Sequence, residues 1–120
     1  MLYNKAVEQD NWRAALEREV EQAGRARADG LEGRARVCAR RAAAVAIQEY
    51  YRRQAPGGSV PRRSALEWIE VLKDDPNAAQ VRGSLELFLI RVRPDFQLPV
   101  DVDLIAEIRG LVNHLGLDDV

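Results

Sequence analysis

The sequence predicts an all-α protein, an up-and-down antiparallel helical bundle of five helices, four long and one short, in a single domain over residues 1–120. Three observations lead there. Apolar residues recur at spacings of three and four in every long segment. All five prolines fall between those segments, where they stop one helix and allow the next to reverse. The single strand-like run, LELFLIRV, already sits inside a helical pattern and has no partner strand elsewhere in the chain, without which an isolated strand is not stable.

The first helix runs from Tyr3 to about Ala28, with Trp12, Ala15, Leu16, Val20 and Ala23 as its one apolar stripe. Gly30 and Gly33 suit a helix end and a tight reversal, so the first two helices form an antiparallel hairpin. The second helix, Leu31 to Gln54, is the centre of the design. It holds the small apolar patch Ala42, Ala43, Ala44, Val45, Ala46 and Ile47 between arginines, and it is apolar on most sides in its middle. Pro56, Gly57, Gly58 and Pro61 end it. Ser64 and Glu67 match a capping box ahead of a short helix anchored by Leu66, Trp68, Ile69 and Leu72. Asn77 is placed to cap a fourth helix with Val81, Leu85, Phe88, Leu89 and Val92 on its core face. After the Arg93–Asp101 loop, Asp101 caps the last helix and Val100 staples to Ile105. Its stripe is Leu104, Ile105, Ile108, Leu111, Val112 and Leu115, and Gly116 stops it.

Composition excludes several classes of function. Lys plus Arg (18) nearly balance Asp plus Glu (19), which rules out a bulk polycation for coating nucleic acid. A single cysteine, Cys38, rules out an internal disulfide; on the core stripe it reads as a small buried hydrophobe, and a reducing cytoplasm fits. No apolar run approaches the roughly 20 residues that cross a bilayer, and the first residues lack the apolar core of a signal peptide, so neither membrane nor export is expected. The apolar faces of the second and last helices exceed what a short bundle readily covers, which points to a homodimer.

Charge is unevenly spread. From Arg25 to Arg53 eight arginines face Asp29, Glu32 and Glu49, whereas from Asp101 onward Arg109 stands alone among five acids. Arg34, Arg36, Arg40 and Arg41 form the candidate surface for phosphates of RNA or a nucleotide. The lone histidine, His114, follows Arg109 by five positions; at 100° per residue the two stand about 140° apart, one on each flank of the apolar stripe. They can cooperate only where that stripe meets another surface. Asp103, Glu107 and His114 share a face but make too poor a ligand set for a metal, so neither metal nor other cofactor is expected. Walker, GxGxxG, HExxH and GxSxG motifs are absent.

The charged first helix with its early Trp12, the Ala-rich ARVCARRAAAVAIQEYYRRQ, the Pro/Gly loop, the short SALEWIEVL helix and the R-x4-H of the last helix together resemble the HEPN (higher eukaryote and prokaryote nucleotide-binding) superfamily of small helical bundles. The resemblance spans about Trp12 to Leu117. It implies Arg109 and His114 as the catalytic pair of a metal-independent endoribonuclease acting across a homodimer. In other members it implies toxin–antitoxin pairing with a small nucleotidyltransferase, or plain nucleotide or RNA binding. Active members place a polar residue directly after the arginine, where this chain has Gly110. The expected function is therefore a dimeric module binding a nucleotide, RNA or a protein partner, with catalysis lost; the ribonuclease is the alternative.

Overall fold

Leu31 and Ala55 bracket the helix on which the other described helices pack. The computed structural model describes residues 5–90 and 103–118. Helix α1 (Lys5–Ala28) turns into α2 (Glu32–Gln54) through Gly30, whose φ of 76° lets Leu31 N–H reach Ala26 O at 2.8 Å and Gly30 N–H reach Arg27 O at 3.0 Å. Those two bonds satisfy carbonyls that a helix end would otherwise leave unpaired. Ala35, Cys38, Ala39, Ala42, Ala43, Ala46 and Ile47 are all buried, so α2 has apolar contacts on most of its circumference. Arg34, Val37, Arg41 and Gln48 make the narrow stripe left to solvent. Because so many of its side chains end at Cβ, four other helices can approach the α2 backbone, and α2 touches each of them.

The third helix is as short as expected, and the fourth and fifth begin later than the sequence pattern suggests. Helix α3 (Ala65–Lys73) starts with the expected capping box, Glu67 N–H to Ser64 Oγ at 3.2 Å and Ser64 N–H to Glu67 Oε1 at 3.0 Å. Leu66 points outward instead of anchoring it; Trp68, Ile69 and Leu72 are buried. The fourth helix does not begin at Asn77. Asp75 Oδ1 accepts from Asn77 N–H at 2.9 Å and opens a 3₁₀ segment, Pro76–Val81, so regular α4 (Arg82–Leu89) has only eight residues. Pro76 favours this because its ring pre-sets a turn, and the tight segment still buries Ala78 and Val81. Helix α5 (Leu104–His114) is capped by Asp103, whose Oδ1 accepts from Ala106 N–H at 3.1 Å, and this replaces the expected cap by Asp101. Val92, Val100 and Asp101 lie outside the described residues. Gly116, at φ 70°, closes α5 as expected, with Leu117 N–H on Val112 O.

Contacts between helices set their directions. Arg13 meets Asp118, Arg109 meets Glu17 and Arg27 meets Asp103, so α1 and α5 run antiparallel. Phe88, Leu16, Ile47, Ile69, Leu72, Leu85, Ile108 and Leu111, from all five helices, fill the one core. Leu104, Ile108, Leu111 and Val112 of α5 are buried within the chain itself, while Ile105 and Leu115 of the same stripe are half-buried and Val37 of α2 is exposed. No described helix is long and apolar enough to cross a membrane.

One carboxylate is built into this core. Glu49 is buried and accepts from Arg52 Nε and Nη2 at 2.7 Å each and from Arg53 Nε at 2.8 Å. Burial opposes its ionisation, but the bonds from Arg52 and Arg53 outweigh that and hold the carboxyl below its ordinary range. A depressed folded pKa contributes stability that is present above the unfolded value, about 4.3, and is lost as pH falls through the folded one. The melting temperature is therefore expected to hold from pH 7 to about 5 and to fall below about 4.5. Glu49→Gln, measured in the same acid titration, should fall less steeply; an identical slope in the two proteins would show that Glu49 is not a source of the acid loss.

Candidate functional site

Helix α5 presents Arg109 and His114 from a short, doubly capped segment, and both side chains are exposed. Their destinations differ. Arg109 reaches across to α1 and forks onto Glu17, with Nη2 on Oε2 at 2.8 Å and Nη1 on Oε1. The two-point bond raises the Arg109 pKa and lowers that of Glu17, in each case chiefly through the hydrogen bonds of the pair itself. His114 stands in the last turn, beyond this pair.

A cleft of about 90 Å³ opens beside Arg109. Trp12, Leu16 and Val112 form its apolar floor, and its rim is two ion pairs, Arg109 with Glu17 and Arg13 with Asp118 at 2.7 Å. Two guanidiniums flank the Trp12 indole, Arg13 at 4.9 Å and Arg53 at 5.8 Å from the ring centroid. Arg53 also donates to Leu117 O at 3.3 Å, which ties the end of α2 to the end of α5. His114 does not line this cleft. Within one chain, the arginine that would stabilise charge on a reacting phosphate is thus neutralised by a carboxylate, and the imidazole that would move a proton stands apart from it.

The four candidate phosphate-binding arginines divide in two. Arg36 is buried, and its Nη2 donates to Leu87 O at 2.9 Å, to Phe88 O at 3.4 Å and to Ile90 O. Arg40 donates through Nε to Phe88 O at 2.7 Å and through Nη2 to Ile90 O at 3.3 Å. Both satisfy the last carbonyls of α4, groups that a helix C-terminus leaves without partners and whose partial negative charge attracts a cation. Burial, then the neighbouring Arg40, lowers the Arg36 pKa, partly offset by Glu32. Arg34 and Arg41, in contrast, stand exposed on the solvent stripe of α2 with Val37 between them.

Among the described residues no group of three or more His, Cys, Asp and Glu could hold a metal ion. Glu107, one of the three acidic or imidazole groups on the polar face of α5, accepts from Ser84 Oγ at 2.6 Å instead. The partners that decide this site, Glu17 for Arg109 and Asp118 for Arg13, carry no signal in sequence, because each pair joins opposite ends of the chain, Glu17 lying 92 positions from Arg109. Compared with known protein families, curated proteins and solved structures, the chain matches none.

Proposed function

We propose that this chain is a non-catalytic binding module of HEPN-like layout that takes a phosphate-bearing partner, RNA or a nucleotide, through the arginines α2 turns outward, Arg34 and Arg41. The sorting of the α2 arginines carries this reading. Arg36 and Arg40 serve the fold, whereas Arg34 and Arg41 face solvent on either side of Val37, where a phosphate could reach both without breaking a helix contact. The bidentate hold of Glu17 on Arg109 supports loss of catalysis, since a ligand phosphate would first have to displace a carboxylate.

The ribonuclease alternative draws on one observation: Arg109 and His114 are both exposed, so a second copy could bring one chain's His114 to the other's Arg109. On that reading the homodimer is required for catalysis, whereas the binding module is expected to dimerise without depending on it. Pairing with a small nucleotidyltransferase remains the protein-binding form of the proposal, and its test is co-purification of the two chains.

Labelled RNA incubated with the protein in EDTA separates the readings. The expected result is binding without cleavage, and the Arg34→Ala, Arg41→Ala double variant should lower the slope of log Kd against log salt by about two, one for each lost phosphate contact. Gly110→Asn restores a polar residue after Arg109, and a Cβ at that position meets no atom within 4 Å, so this variant gives cleavage its best chance. Cleavage by the natural chain that His114→Ala abolishes would replace the binding module with the enzyme. Binding that is indifferent to salt would remove the phosphate.

A further inference from the structure

The loop between α2 and α3 carries a second cationic surface, and this one is built on aromatic rings. Trp68 is buried on α3 and stacks on Tyr51 of α2, with ring centroids 5.9 Å apart and planes 22° from parallel. Tyr51 in turn meets Tyr50 edge-on at 5.2 Å, and its hydroxyl donates to Asp75 Oδ2 at 2.7 Å. Burial and that bond raise the Tyr51 pKa well above its ordinary value, so the ring stays neutral and fixed. Over the Trp68 ring, 5.3 Å from its centroid, rests the guanidinium of Arg63.

Arg63 and its neighbour Arg62 are exposed, and among the described residues neither is in an ion pair. Glu67 is engaged by the Ser64 capping box and Asp75 by Tyr51. A guanidinium is weakly hydrated on its faces, so one that rests on an indole still offers its other face to a flat partner. Bases of single strands stack on such planes as well as on aromatic rings. We infer that the Arg63–Trp68–Tyr51 ladder is a base-stacking site for single-stranded nucleic acid, with a base lying on the outer face of Arg63 and Arg62 meeting the adjoining phosphate. An acidic peptide would use the charge of Arg62 and Arg63 but would gain nothing from the plane. The ladder is therefore assigned to a base.

The test is fluorescence anisotropy at low salt with an end-labelled oligoadenylate of about twelve nucleotides, within the span such sites cover. Arg63→Ala and Arg63→Lys should each weaken binding about tenfold, since lysine keeps the charge and loses the plane. Arg62→Ala should lower the salt slope by about one. An abasic strand of equal length should bind the natural chain about as weakly as the natural strand binds Arg63→Lys. Thermal melts check that each variant is folded, which the exposure of both side chains leads one to expect. Arg63→Lys binding as tightly as the natural chain, an abasic strand binding equally well, or an acidic peptide competing on equal terms would each overturn the inference. Loss of strand binding in the Arg34→Ala, Arg41→Ala variant with none in the Arg63 variants would overturn it too, while leaving the α2 surface standing.

Discussion

Ala43→Trp is expected to destabilise the chain by about 3 kcal/mol or more, at the upper end of what overpacking costs. Ala43 has no exposed surface, and Ala42, Ala46 and Ile47 on the same helix have none either. With α1, α3, α4 and α5 all packed on α2, an indole can be admitted only by moving a neighbouring helix. Since domains of this kind are stable by only about 5–15 kcal/mol, the melting temperature should drop by more than about 10 °C. Gln48→Trp, on the exposed stripe of the same helix, supplies the comparison and should change little. Equal melting temperatures for the two variants would mean that α2 is not the packed centre of the bundle.

Arg36→Ala should cost about 2–3 kcal/mol, because charge-assisted hydrogen bonds are worth more than neutral ones and a buried carbonyl left without a donor adds its own desolvation penalty. Three carbonyls, those of Leu87, Phe88 and Ile90, lose a donor, and Arg40 still reaches only the last two. The loss is smaller than the sum of those bonds, since among the described residues Nε and Nη1 of Arg36 are themselves buried without hydrogen-bond partners and removing them relieves a cost. Arg36→Lys should recover part of the loss, since one ammonium retains the charge but not the spread of donors. Denaturant unfolding measures the change, and hydrogen exchange locates it: amides of α4 should exchange faster while those of α1 keep their protection, apart from the global effect. An α4 as protected in Arg36→Ala as in the natural chain would refute the account of Arg36 as its C-terminal cap.

Both outcomes turn on side chains whose types were plain in sequence and whose partners were not. Ala43 could be placed in the core from the run of alanines around it, because a helix with an apolar middle has nowhere else to go. Arg36 could not. It belongs to an arginine cluster that reads as one basic surface, and only the packing of α4 on α2 sends Arg36 and Arg40 inward to carbonyls while Arg34 and Arg41 stay outside. The same holds for Arg63, which adjacent residues mark as a loop cation and whose guanidinium the fold places over the Trp68 ring.

What the sequence determined by itself was local: the all-α class, the extent of α2, the reversal at Gly30, the Ser64 and Glu67 box, and the stop at Gly116. Each depends on interactions within about one helical turn, where side-chain type and spacing specify the partner. Where two nearby residues competed for one role the choice passed to packing, as when Asp103 took the cap expected of Asp101 and a 3₁₀ segment shortened α4. The fates of Arg36, Arg40 and Arg109 were decided in tertiary structure, because a guanidinium on a flexible stem binds whichever carboxylate or carbonyl the other helices bring to it, whereas Arg52 and Arg53 found Glu49 within one turn of their own helix. Glu17 sits 92 positions from Arg109 and the α4 carbonyls about 50 from Arg36, distances over which spacing along the chain carries no geometric information.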